Sequence, residues 1–286
     1  MNIKDFWWRQ EFLDSEYGES NRIEYGGCVL PFKVSQDKLE IGFVGPYSLA
    51  HMDNSCVSKK SIFKTWEMLI QKYPDKDFYI RLPPKRYFSD LYEINFDVIQ
   101  KFNSKLIYTD VNQHLELVGN FESRIRRNRL RDLKKAETLK FDFRRIDLRE
   151  AYKIIEKNRL KKQINLSVSF DRMRKLSDSI PNSLNSFGIF DNQNLIASSI
   201  VYTVNSTMAY IFMWGHDPDA NNGGLGMTIL CKGLFDSYKN HSFTTLCLGT
   251  SSLQGRIDIG LMSFKKGLGA IESSREALVI PKLNRS

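Results

Sequence analysis

AYIFMWGHDPDANNGGLGMTILCKGLFDSY, Ala209 to Tyr238, is the stretch whose reading decides the fold. An alternating apolar run, Ala209 to Trp214, reads as a strand, GHDPDA as a polar turn, and NNGGLG (Asn221 to Gly226) as a glycine-rich loop that opens an apolar helix. Strand, glycine loop and helix in that order suit a phosphate. Glycines leave backbone N–H groups uncovered, the first turn of a helix has unpaired N–H groups of its own, and the helix dipole favours an anion at that end. A diphosphate suits such a loop, although glycines also serve turns for backbone reasons alone.

Downstream, FTTLCLG (Phe243 to Gly249) reads as a second strand, DIGLMSFKKGLGA (Asp258 to Ala270) as a helix, and Glu276 to Ile280 as a closing strand. Upstream, Ser186 to Phe190, Leu195 to Val204 and Thr207 to Trp214 form a predicted antiparallel meander, joined by the turns DNQN and NS.

Two ordered motifs in this stretch carry a family resemblance. Asn221-x-x-Gly224-x-Gly226 is similar to the acyl-CoA pyrophosphate loop of the GNAT acyltransferases, Gln/Arg-x-x-Gly-x-Gly/Ala, and FKKGLGA (Phe264 to Ala270) resembles the FK-x-G-F-G segment of the FemAB-like branch. Asn221 replaces the usual Gln or Arg, and Phe264 stands near where many GNAT enzymes have a Tyr general acid. The resemblance covers residues 167–280. It implies an α+β, GNAT-like fold: a mixed, mainly antiparallel sheet per unit with helices on both faces, and two units in tandem. It also implies an N-acyltransferase that moves an acyl group from acyl-CoA (acetyl-CoA) to an amino group of an amino sugar or other cell-envelope precursor. Aminoacyl transfer from tRNA, as in FemAB-type enzymes, is the rival. A non-catalytic anion- or RNA-binding module on the same fold is a third reading.

The donor site is then expected at Met213, Trp214, Asn221, Asn222, Gly223, Gly224, Leu225, Gly226 and Met227. Transfer from a thioester needs an oxyanion donor and a base for the ammonium, and the resemblance places the donor, a backbone N–H, at the end of the strand before the loop, Met213 to Gly215. His216 and Asp217 stand next to it; turn chemistry is their other reading. Lys265 matches the family lysine near the reacting groups, and helical spacing sets it at the edge of the apolar face, at a cleft lip. Thr250 and Asp258, at the opening of the last helix, are candidate acceptor contacts or caps.

The chain has 286 residues, room for two modest α/β units. With no signal-peptide pattern and no apolar run long enough for a bilayer, it reads as soluble and cytoplasmic. Cys28, Cys56, Cys231 and Cys247 are scattered without metal-ligand spacing and read as buried thiols, so no metal is expected. GxSxG, P-loop and HExxH patterns do not occur. A net charge of +9 points to anionic partners: CoA, a phosphate-bearing acceptor or tRNA.

In the N-terminal half, the first 22 residues, with FWWRQEF, read as a lead-in. Ile23 to Val34 reads as one strand interrupted by Gly26 and Gly27, Leu39 to Val44 as its partner, and Gly45 to Tyr47 as its end. Ser61 to Tyr73 has apolar residues at helical spacing; Phe78 to Leu82 and Lys105 to Val118 read as strands, with a helix near Phe96 to Phe102 between them. Residues 1–120 are thus taken as a unit without a CoA loop that shapes an acceptor cleft, and 121–286 as the acyltransferase unit. At the start of the second unit FESRIRRNRLRDLKKAE, Phe121 to Glu137, reads as a helix capped by Asn120, its Arg126, Arg127 and Arg129 either solvated or gripping an acceptor phosphate.

Overall fold

The computed structural model describes residues 21–42, 51–52, 58–84, 89–166 and 168–282. The predicted aromatic lead-in, the Gly45–Tyr47 terminator and Cys56 lie outside them.

Two compact units form: one from residues 113–249 and 258–272, the other from residues within 2–112 together with 250–257 and 273–286. In the second, the region read as one strand is a hairpin. Arg22–Tyr25 pairs antiparallel with Cys28–Pro31, and Gly26 and Gly27 between them have φ of 56° and 78°. Two successive positive φ values are what a two-residue hairpin turn demands, and glycine adopts them without strain. The remaining Lys33–Val34 pairs with Lys38–Ile41, which runs parallel to Asp77–Arg81. The helix Lys59–Lys72 is capped by Ser58, whose hydroxyl accepts from the Ser61 N–H, and buries Ile62, Trp66, Leu69 and Ile70. Trp66 donates its indole N–H to Asn95 across 3.0 Å, so a polar tip is satisfied inside an apolar core. Asp110, fully buried, accepts from Arg81 at 2.8 Å, from the Ser252 hydroxyl and from the Gly255 N–H.

The other unit holds the meander. Asp142–Arg145, Leu184–Asp191, Asn194–Thr203 and Met208–His216 pair antiparallel in succession. Met208–His216 then runs parallel to Thr245–Thr250, but the pairing covers only Met208 to Tyr210. A bulge explains the parting. Ile200 faces Met213 while Val201 faces Ile211, which leaves Phe212 as an extra residue that bends the strand. Its last residues, Trp214 to His216, therefore lie beyond the parallel pairing. The core packs Phe121, Leu133, Leu230, Leu234 and Phe235 against the sheet residues Ile189, Val201 and Ile211.

Helix boundaries differ from expectation in two places. The basic helix is Arg127–Leu139, not Phe121 onward, and Asn120 is not its cap: Phe121 to Arg126 form turns that bury the Phe121 ring. The glycine segment is not a loop before a helix. The helix is Gly223–Asn240, so Gly223, Gly224 and Gly226 are its first turn.

Candidate functional site

Each of the three glycines does something different. A Cβ on Gly223 would lie 2.7 Å from the Asp217 carbonyl oxygen and 2.8 Å from the His216 Nδ1, so its bareness seats the histidine turn. On Gly226 a Cβ would meet Ile196 at 3.0 Å and Ala197 at 3.3 Å, so this glycine brings the helix down on the sheet. Gly224 has open space where its Cβ would be.

The first turn of that helix is open to a ligand. Its N-cap, Asn222, makes no side-chain cap; the amide instead donates to Asp191 at 2.9 Å. The Gly226 N–H bonds to the Asn222 carbonyl and the Gly223 N–H to that of Ala220, while those of Gly224 and Leu225 have no backbone acceptor among the described residues. This end faces a cavity of about 680 Å³, within the range of small-ligand sites. Asn221, Asn222, Gly224, Leu225 and Met227 form one wall, and the strand end Trp214, Gly215 and His216 another. The helix Ile259–Gly267 and its cap give Asp258, Gly260, Leu261 and Phe264. Arg129, Asp132 and Lys135 come from the basic helix, and Asn158, Arg159 and Lys162 from the end of the helix Leu148–Lys161.

Four cations against two carboxylates give the cavity a positively charged lining. Arg129 is the most constrained: it pairs with Asp132 at 2.8 Å and lies over the Phe264 ring, 5.0 Å from its centre. Arg159 has no ion-pair partner among the described residues, and burial holds its guanidinium pKa below the ordinary value. An unpaired, half-buried arginine is poised for a ligand anion.

Asn158 is buried; its amide donates to the His216 carbonyl at 2.8 Å and its side chain packs on Gly215, where a Cβ would stand 3.1 Å away. It thereby fixes the bent strand end. The His216 Nδ1 lies 3.1 Å from the Asp217 carbonyl oxygen. A carbonyl only accepts, so Nδ1 carries the proton in the neutral ring and Nε2 keeps the lone pair.

Other expected site residues lie elsewhere. Asp217 is not in the cavity wall; Lys157 holds it at 2.6 Å. Burial works to raise its carboxyl pKa, but the Lys157 and Asp219 N–H hydrogen bonds outweigh burial and keep it low. Lys265 is buried, 1% exposed, not at a cleft lip, and its Nζ donates to the Gly249 carbonyl at 2.9 Å. Thr250 falls in the other unit. Met213, Gly223 and Gly226 pack behind the wall, and Arg126 and Arg127 are exposed outside it. Asn158, Arg159, Lys162, Asp132 and Lys135 carry no motif. The only sequence signal for the first three is the run NRLKK, which reads simply as a helix end.

Among the described residues no cluster suits a metal ion, and no helix is long and apolar enough to cross a membrane. Cys28, Cys231 and Cys247 are buried, and among the described residues they form no disulfide.

No family model matches the sequence, and no curated protein matches it significantly. Solved structures do resemble it. FemX superposes with a TM-score of 0.65 at 11% identity, covering 96% of this chain and 92% of that one. The DUF2156 domain assigned to a lysylphosphatidylglycerol synthetase of Agrobacterium fabrum gives 0.63 at 10% identity, covering 95% and 88%. L-PGS from Bacillus licheniformis gives 0.62 at 11% identity, covering 99% and 94%. At such identities the likeness is one of fold: the chain has the FemAB-like, GNAT-type architecture that its two motifs imply.

Proposed function

We propose that this chain is an acyltransferase that takes an acyl group from acyl-CoA and delivers it to an amino group. The observation that supports this most is the uncapped first turn of Gly223–Asn240, open at Gly224 to a cavity that carries Arg129, Lys135, Arg159 and Lys162. In this reading the CoA pyrophosphate lies on the N–H groups of Gly224 and Leu225, and the thioester lies along the cavity wall formed by Trp214 to His216. The amine nitrogen attacks the thioester carbonyl, the ammonium proton passes to His216 Nε2, and CoA leaves as the thiol after taking up a proton. The Asn158 bond holds the strand end in place for this step. Lys265 acts as a positioning residue through Gly249, not as a contact to substrate. The acceptor is an amine, an amino sugar or a related envelope precursor, and CoA as donor suits a cytoplasmic enzyme. Residues 1–120 are read as a second unit without a donor loop.

The second reading replaces the thioester by the aminoacyl ester of tRNA. It draws on the fold shared with FemX and the L-PGS structures, and on the same four cations. Calorimetric titration with CoA, acetyl-CoA and bulk tRNA at two salt concentrations separates the two. Binding of CoA that Gly224→Val abolishes supports the acyl-CoA reading; salt-sensitive tRNA binding with no CoA response replaces it by the second.

A further inference from the structure

Gly267 is buried at the end of the helix Ile259–Gly267, in a helical backbone conformation open to any residue. Gly269, two residues on, differs: its φ is 81°, where a side chain is strained. A helical position favours alanine over glycine, so the bareness of Gly267 answers to a neighbour. That neighbour is Arg129. A Cβ on Gly267 would stand 3.3 Å from the Arg129 Cγ and 3.4 Å from its Nε, and this Nε is sealed from solvent.

Phe264 lies three residues before Gly267, on the same face of the helix. Arg129 crosses both. Its guanidinium sits 5.0 Å from the centre of the Phe264 ring, which Trp214 meets edge-on at 5.8 Å. Asp132, three residues along the basic helix, accepts from the Arg129 Nη1 at 2.8 Å, and the same carboxylate oxygen accepts from the Thr228 hydroxyl at 3.4 Å. The backbones are joined as well, since the Arg126 N–H donates to the Gly267 carbonyl at 2.9 Å. With Nε sealed, Nη1 engaged and one face on a ring, Nη2 is the guanidinium nitrogen left for a ligand, on a residue that lines the cavity. An arginine already held in place gives its hydrogen bonds without first losing rotamer freedom.

We propose that Gly267 is a positioning residue for the anion that this cavity takes: its missing side chain lets Arg129 lie across the last helix, where Phe264 and Asp132 hold the guanidinium ready for a ligand phosphate. The inference rests on the cavity being the site of an anionic donor, as proposed above, but not on which donor fills it. The FKKGLGA segment then acts on the donor through an arginine that stands outside the motif.

The test is a double-mutant cycle on the full chain, read by calorimetric titration with CoA. Gly267→Val and Arg129→Ala should each weaken CoA by about tenfold, and the double variant by no more than either alone. A residue that merely supports the fold would weaken binding equally in both backgrounds. Multiplied losses in the double variant therefore overturn the proposal, as does unchanged affinity in Gly267→Val. If CoA does not bind, inorganic pyrophosphate and bulk tRNA take its place. The expected cycle on either keeps the proposal and overturns only the acyl-CoA reading; no saturable binding of any of the three overturns both. Melting without ligand gives a second arm, with Gly267→Ala in case the valine variant does not fold. In the Arg129→Ala background this alanine should raise the Tm, as a better helix former than glycine, while beside the intact arginine the gain should be smaller or reversed. An equal gain in both backgrounds would show that Arg129 does not press on Gly267, and overturns the proposal too.

Discussion

Lys265 donates its Nζ to the Gly249 carbonyl across 2.9 Å, tying the last helix to a strand end whose φ is 73°. Burial lowers the lysine pKa from 10.5 to about 7, assisted by Arg159 and opposed by Cys247 and Asp258. The unfolded chain, with the ordinary value, therefore binds more protons between about pH 7 and 10.5, so this group makes stability rise with pH through that window. Below the window both states are protonated and the penalty is constant. Lys265→Met removes the penalty along with the hydrogen bond. Its Tm relative to wild type should be highest near neutral pH and fall as pH rises; a difference that is flat with pH would exclude Lys265 as the titrating group.

The glycines of the first helical turn should separate under mutation. Gly224→Val meets no atom, so its Tm should stay near wild type while CoA binding is lost. Gly226→Val drives a side chain into Ile196 and should cost about 1–3 kcal/mol of stability. Denaturant melts with parallel CoA titrations check both. Stability loss at Gly224 or none at Gly226 would reverse the assignment.

His216→Gln should lower turnover by roughly two to four orders of magnitude, the scale of a lost general base, with donor affinity nearly unchanged. Asn158→Ala keeps the imidazole but frees the His216 carbonyl and loosens the strand end; turnover should fall less, and donor KM should move little. Steady-state kinetics on an amine panel read out both. Wild-type rates in His216→Gln would remove it from the chemistry.

Charge variants sort the basic surface. Arg159→Ala should weaken an anionic donor about tenfold, because a half-buried, unpaired guanidinium is lost from the cavity wall. Arg126→Glu with Arg127→Glu, outside that wall, should change donor affinity far less and mainly alter its salt dependence. Equal losses in both variants would mean that long-range charge, not the cavity, binds the donor.

Elements with a strong period were legible from the sequence. The strands between Leu184 and His216 are apolar runs bounded by polar turns, and the helix Lys59–Lys72 repeats its apolar residues every three or four positions; both lie where the pattern puts them. The Gly26–Gly27 hairpin was less so, because apolar residues on both sides of a glycine pair suit one interrupted strand as well as two. The start of the basic helix misled because charge density hides the turns that bury Phe121. Of the site, the glycine helix and His216 were visible as motifs. Asn158 and Arg159 were not: Asn158 acts on a carbonyl 58 residues away, and no local spacing encodes such a contact. Lys265 was misplaced for a related reason, since amphipathic spacing cannot show that a distant strand end offers a carbonyl to its amine.

The division of labour between Gly223, Gly224 and Gly226 has a consequence for redesign. Two of the three positions are locked by their neighbours, His216 on one side and Ile196 on the other, while the one between them touches only the cavity. Saturation mutagenesis confined to residue 224 would therefore vary what this cavity accepts without spending the library on misfolded clones, which makes that single codon the natural starting point for changing ligand selectivity.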